Sequence, residues 1–272
     1  MLLARIFSDS VREAEQKPVR SQLCDNLFIF LFAVLGTLQV SEIIEPFSDY
    51  EYITLSDRVI DAEVDIAGNI YVLLPGLPHL RVYSSEGPVY EYDLSDILLP
   101  GGMCVDERWG WFVTGEITNK IYRYDDSGEL TDSRDSRGLP GDICLYGMDI
   151  LYVSQASGTV SSLYEPDDIL LRLTGSCEGQ LSASGITSVY SCEDESFILT
   201  DFEPPEPLPA SGTWVAVNDE LMVLQDSCVR DGNEEIEFIL PEYGEFSRIS
   251  CSSSGNHCLL WSSGEGRILV LR

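Results

Sequence analysis

Along residues 50–272 the chain is divided into short apolar runs of about four to seven positions, separated by turns rich in glycine, proline and asparagine. The runs are short and rich in valine, isoleucine and tyrosine, which predicts strands. One pattern occurs twice in succession. Its first copy is Val64-Asp65-Ile66-Ala67-Gly68-Asn69-Ile70-Tyr71-Val72, followed after a gap by Leu80-Arg81-Val82-Tyr83-Ser84-Ser85-Glu86-Gly87. Its second has Val105-Asp106, then Trp111-Phe112-Val113-Thr114, then Asn119-Lys120-Ile121-Tyr122-Arg123-Tyr124-Asp125-Asp126-Ser127-Gly128. The two Val-Asp pairs stand 41 positions apart. Pro100-Gly101 recurs 40 positions later as Pro140-Gly141, and Cys104 recurs as Cys144.

A period of about 40 residues made of short strands and tight turns predicts one propeller blade per period. The first blade reads as Val59 to Asp65, Ile70 to Leu74, His79 to Ser84 and Val89 to Leu94, with turn residues where hairpins need them. The second starts at Pro100 and runs to about Leu130. The third starts at Leu139, with strands at Ile150 to Ser154, Thr159 to Tyr164 and Ile169 to Thr174. The period then degrades. Gly185 to Cys192 pairs with Phe197 to Asp201, but Phe202 to Ser211 holds four prolines in ten residues and cannot be an interior strand. Trp214 to Val217 and Leu221 to Leu224 predict a hairpin, and Glu235 to Leu240 another strand. The last unit, Ser247 to Ser252, His257 to Ser262 and Arg267 to Leu271, is one strand short. Tyr50 to Leu55 alternates outside the first repeat and predicts the strand that completes this last blade and closes the ring. The expectation is an all-β propeller of six blades, with five as the alternative, over residues 50–272.

The run Val-Asp-x-x-Gly-Asn-Ile-Tyr-Val followed by Leu-Arg-Val-Tyr-x-x-Glu-Gly resembles the NHL repeat, and with it the gluconolactonase (SMP-30) and TolB-type six-bladed propellers. The match is good over Val64 to Gly87, fair over Pro100 to Gly128 and weak beyond. The motif serves the turn between the two inner strands, so the resemblance implies a fold more than an activity. Gluconolactonase-like propellers are metal-dependent hydrolases, which implies a divalent cation, calcium or manganese, held in the channel mouth by a glutamate, asparagines and an aspartate. That set is not placed here residue by residue. Asn69, Asn119, Asn218 and Asn256 sit where turns favour asparagine, and Glu63 and Asp65 read as strand ends.

Before the repeats, Leu27 to Val40 is an uncharged apolar run preceded by Arg5, Arg12, Lys17 and Arg20. At about 1.5 Å per residue it falls short of a ~30 Å hydrocarbon core. It reads as a signal peptide, residues 1–36, cleaved after Gly36, with residues 37–49 as a linker and an uncleaved anchor as the rival. The expected location is extracytoplasmic, secreted or periplasmic, with no stable membrane span after cleavage. Cys24 precedes the run, where a lipid-attachment cysteine would follow it.

Charge narrows the partners. The chain has 46 acidic against 16 basic residues, a net charge of −30 that belongs entirely to residues 37–272. Such a surface repels phosphate backbones, so nucleic-acid binding is not expected. There is no His-x-x-x-His, no Cys-x-x-Cys pair and no phosphate-binding glycine loop. The two histidines, His79 and His257, form no recognisable triad with a serine and an aspartate. Asp125-Asp126-Ser127-Gly128 lacks the spacing of a calcium loop and reads as a hairpin turn. Of the seven cysteines after Gly36, Cys251 with Cys258 and Cys177 with Cys192 are disulfide candidates, while Cys104 and Cys144 read as buried free thiols. Loops between second and third strands converge on one rim of a propeller. They nominate His79, Glu116, Asn119, Gln155, Asp201, Phe202 and Glu203 as rim residues facing a protein or small-molecule ligand. The preferred function is a non-catalytic binding module; the alternative is a metal-dependent lactone or ester hydrolase of the gluconolactonase kind.

Overall fold

Ile70-Tyr71-Val72-Leu73-Leu74 is apolar at every position because both of its faces are covered. Ile70, Val72 and Leu74 pack against Trp261, Ile268 and Val270, while Tyr71 and Leu73 pack toward Met103 and Trp111. A strand buried on two sides loses the alternation that a half-exposed strand keeps. The opposite extreme is Leu130–Asp135, exposed at all its positions. Val89–Asp93 and Glu206–Leu208 are likewise exposed at most positions.

The computed structural model describes residues 49–272 except 77, 78, 85, 86, 88, 95, 166–168, 175–177, 186, 193, 194, 201–203, 210, 211, 219, 226, 227, 232–236, 240–245 and 264. Six four-stranded antiparallel sheets form a six-bladed propeller. Strand β1 (Tyr50–Thr54) comes first in the chain. Blade one is β2 (Asp61–Val64), β3 (Ile70–Leu74), β4 (His79–Tyr83) and β5 (Val89–Asp93). Blade two is β6 (Pro100–Asp106), β7 (Gly110–Gly115), β8 (Lys120–Tyr124) and β9 (Leu130–Asp135). Blade three is β10 (Pro140–Tyr146), β11 (Asp149–Ser154), β12 (Thr159–Ser162) and β13 (Ile169–Arg172). Blade four is β14 (Gln180–Ser184), β15 (Thr187–Ser191), β16 (Ser196–Leu199) and β17 (Glu206–Leu208). Blade five is β18 (Thr213–Val217), β19 (Glu220–Gln225), β20 (Cys228–Asp231) and β21 (Glu237–Ile239). Blade six is β22 (Arg248–Cys251), β23 (Cys258–Trp261) and β24 (Arg267–Leu271), completed by β1.

The ring is closed by that last pairing, Tyr50 opposite Leu271 through Thr54 opposite Arg267, as the alternation of Tyr50 to Leu55 predicts. The five-bladed alternative is excluded. Three strands escaped the sequence reading: β9 begins at Leu130, where blade two was expected to end. β14 is mostly serine and alanine and carries little apolar signal, and β20, Cys-Val-Arg-Asp, is short with one branched apolar residue. The proline-rich segment contributes only β17, an outer edge strand in which Pro207 needs no ladder partner on its far side.

Six apolar clusters hold the molecule, one between each pair of neighbouring blades. The most aromatic cluster lies between blades one and two, where Trp111 stacks on Tyr124 with centroids 4.3 Å apart. Among the described residues the smallest cluster lies between blades four and five: Val189, Trp214, Ala216 and Val223.

Candidate functional site

Each inner strand places one buried apolar residue at an equivalent depth: Ala62, Met103, Ile143, Leu181, Val215 and Ile249, each no more than 2% exposed. The residues immediately before and after these anchors form two successive rings around the channel. The preceding ring is Asp61, Gly102, Asp142, Gln180, Trp214 and Arg248. The following ring is Glu63, Cys104, Cys144, Ser182, Ala216 and Ser250. The sequence repeat therefore continues through all six blades at the channel, although side-chain chemistry hides it.

The first ring closes one end. Asp61 Oδ2 accepts the Met103 amide at 2.7 Å, tying blade one to blade two, and Asp142 Oδ2 accepts the Leu181 amide at 2.7 Å, tying blade three to blade four. The other oxygen of each accepts the amide of the next residue at 2.9 Å. Arg248 reaches from blade six to Asp142, its Nη1 3.7 Å from Oδ2, and its Nη2 donates to the Glu178 carbonyl at 3.0 Å. Gln180 exchanges both amide groups with the backbone of Ile249. Blade two must carry glycine in this ring. A Cβ on Gly102 would stand 2.7 Å from Asp142 Oδ1.

The second ring leaves space. Five of its six side chains are small, and all six line a funnel of about 610 Å³ that opens between the turns joining first and second strands. Val64, Val105, Leu145, Leu181 and Ala183 supply apolar wall, and the rim carries Asp65, Asp106 and Glu107 beside Arg108. Glu63 is the one ionisable oxygen acid of the ring. Ser250 Oγ donates to its Oε2 at 2.7 Å. Burial, then the neighbouring Asp61, hold the Glu63 carboxyl well above the usual carboxylate range. Burial, then Asp142, do the same to Asp61. Asp142 is pushed up to about 6 by burial, against the pull of Arg248. Burial also raises the Cys104 and Cys144 thiols, which are free.

Of the rim residues nominated from sequence, Glu116, Asn119 and Gln155 sit at the other end. Gln155 Nε2 donates to Glu116 Oε1 at 3.1 Å, so these two meet. Both pack on the starts of inner strands: a Cβ on Gly101 would meet Glu116 Cγ at 3.1 Å, and one on Gly141 would meet Gln155 Nε2 at 2.8 Å. Asn119 turns the β7–β8 hairpin with φ 52 and accepts the Ser136 amide. None of the three lines the funnel. His79 begins β4, and Asp201, Phe202 and Glu203 lie outside the described residues. His257 packs against the Gly68 turn between blades six and one, and burial lowers its pKa. Cys251 and Cys258, opposite each other in β22 and β23, form a disulfide. Cys192 is a free thiol and Cys177 lies outside the described residues. Asp125 accepts the Ser127 and Glu129 amides, the bonding of a hairpin turn.

Sequence reasoning missed the second ring. Its signal was the recurrence of Cys104 as Cys144, which extends back to Glu63 once the strands are aligned on their buried anchors. Among the described residues, no group of three or more His, Cys, Asp and Glu side chains is arranged to hold a metal ion.

No protein-family model matches the chain, and no curated protein matches it. Solved structures with the same fold do. Virginiamycin B lyase from Staphylococcus aureus superposes with a TM-score of 0.55 at 14% identity, over 78% of this chain and 81% of that one. A catalytically inactive form of that lyase with quinupristin gives 0.53 at 12% identity, over 82% and 98%. A protein of unknown function from Bacteroides thetaiotaomicron gives 0.59 at 11% identity, over 84% and 73%. At these identities the likeness is one of fold, a six-bladed propeller, and the narrower NHL or gluconolactonase grouping stays a resemblance.

Proposed function

We propose that this chain is an extracytoplasmic, non-catalytic propeller that binds a small molecule in the funnel formed by its second channel ring. One observation carries the reading: an apolar-walled recess of about 610 Å³, within the size range of ligand pockets, with a single carboxyl at its floor. The Cys251–Cys258 disulfide and the apolar run at Leu27 to Val40 support an oxidising compartment outside the cytoplasm. The metal-dependent hydrolase is less well supported. Asp61 and Asp142 spend their oxygens on backbone amides, and Arg248 supplies a positive charge beside Asp142.

The test is a thermal-shift screen of small polar and amphipathic compounds against the native protein and a folded Ala216→Trp variant, which adds an indole where Ala216 lines the funnel. Compounds that raise the native melting temperature should leave the variant unmoved. Equal shifts in both would place binding elsewhere. Turnover of lactone or ester substrates that is abolished by EDTA would replace binding with hydrolysis.

A further inference from the structure

We infer that the funnel takes a small organic cation, an ammonium group on an apolar body, seated with its charge against Glu63. This rests on the binding reading above.

The floor has little other polar capacity to offer. The Gln180 amide is committed to Ile249, the Ser182 hydroxyl faces the Ala216 backbone, and the Ser250 hydroxyl is given to Glu63 Oε2. Glu63 Oε1 has no protein donor among the described residues. A ligand that reaches the floor therefore meets one carboxyl oxygen between small side chains. Acidic groups outnumber basic ones around it. Three carboxyls, Asp61, Glu63 and Asp142, stand on inner strands near one guanidinium, and Arg248 is already engaged by Asp142 and the Glu178 carbonyl. The rim repeats the imbalance, with Asp65, Asp106 and Glu107 against Arg108. Arg108 in turn leans on Asp106, Nη2 to Oδ2 at 3.2 Å.

The size and walls of the funnel select among cations. A bare metal ion would need several oxygen ligands converging within about 2.6 Å, and no such group exists among the described residues. The recess is many times larger than an ion, and Val64, Val105, Leu145, Leu181 and Ala183 would meet a hydrocarbon or aromatic body. Burying that body supplies affinity, while the ammonium supplies orientation.

Binding is linked to a proton. In the free protein burial, then Asp61 and less strongly Asp142, raise the Glu63 carboxyl above the usual carboxylate range, which favours its protonated form, while the Ser250 hydrogen bond opposes them. The neighbouring Cys104 and Cys144 thiols stay neutral, Ser250 is uncharged, and Asp65 stands at the rim of the same strand's turn. An ammonium arriving beside Glu63 favours the carboxylate. The carboxyl O–H breaks, its proton goes to solvent, and the ammonium keeps its own protons and pairs with the anion. Affinity then rises with pH until Glu63 is already ionised in the free protein.

The experiment is calorimetric titration of the purified protein with 2-phenylethylamine, tyramine and cyclohexylmethylamine, each beside its neutral alcohol counterpart, at pH 6 in two buffers of different ionisation enthalpy. At least one amine should bind saturably and release between zero and one proton. Its alcohol should bind roughly tenfold or more weakly, and so should the amine to Glu63→Gln, which keeps an acceptor for Ser250. Ala216→Trp should abolish binding with Glu63 intact. Equal binding of amine and alcohol, or binding undiminished in Glu63→Gln, overturns the cation while leaving the funnel as a site for neutral ligands. Saturable binding by none of the amines overturns it too. In either case the general binding reading falls only if no compound's shift is lost in Ala216→Trp.

Discussion

The two ends of the channel are built from equivalent positions of the same six strands, yet one is closed and the other open. At the closed end Asp61, Asp142, Gln180 and Arg248 reach across to neighbouring strands and satisfy one another or a backbone amide. One residue beyond the buried anchors five side chains are small: Ser250 reaches Glu63 and Ser182 the Ala216 backbone on the next blade, but the chains are short and a funnel remains. The backbone repeat fixes where a side chain starts. Side-chain length then decides between a plug and a pocket.

The comparison breaks most visibly at Asp142. Replacing it with leucine removes the acceptor of the Leu181 and Ile143 amides and leaves Arg248 facing apolar surface. The expected loss is about 3 to 5 kcal/mol, read as a lowered denaturation midpoint. Combining Asp142→Leu with Arg248→Met should recover part of it, because the stranded charge goes too. An equal loss in single and double variants would show that the amides, not the ion pair, hold this end together.

A smaller effect separates the ends by pH. Burial pushes the Asp142 pKa from 3.8 to about 6, with Arg248 opposing. Between about pH 4 and 6 the folded protein keeps a proton that the unfolded chain has lost. Stability therefore falls as pH rises through that window, by at most about 1.4 kcal/mol per pH unit for one group. Asp61 and Glu63 are raised as well and add to the decline. Glu63→Gln removes the open end's share. The difference in melting temperature between variant and native should move in the variant's favour from pH 4 to pH 8, by a few degrees. A difference that stays constant with pH would mean that Glu63 titrates alike folded and unfolded.

Blades one to three were legible because their turns and inner strands repeat at 40 or 41 positions, and the closing strand was legible because Tyr50 to Leu55 alternates outside the repeat. Blade four was not. Gln180-Leu181-Ser182-Ala183-Ser184 has one large apolar residue, and its burial comes from neighbouring blades rather than from its own pattern. The site was the least legible part. Cysteine, serine and alanine at the second ring read as unremarkable core, and what they contribute is empty volume, which no residue type announces. Glu63 alone looks like a strand-end carboxylate. Only its equivalence to Cys104 and Cys144 marks it as a channel residue.

The smallest expected effect concerns how the chain enters the closed end. Leu99 and Leu139 precede Pro100 and Pro140, and their carbonyls accept the Glu116 and Gln155 amides at 2.9 Å each. Leu99 nevertheless has φ 57, a left-handed conformation shared only with Asn119 and Asn218 among the described non-glycine residues. Asparagine tolerates that region; a leucine pays about 1 to 2 kcal/mol through its Cβ. Its side chain is 52% exposed, so little packing offsets the strain. Leu99→Gly should therefore raise stability by about 0.5 to 1 kcal/mol, less than the full strain because glycine gains freedom in the unfolded chain. Leu139→Gly has no such strain to relieve and should lower stability by a similar amount. Opposite signs at two positions 40 residues apart, measured by denaturant unfolding, would show that equivalent places in the repeat carry unequal strain; losses at both would mean that Leu99 sits in its turn as easily as Leu139.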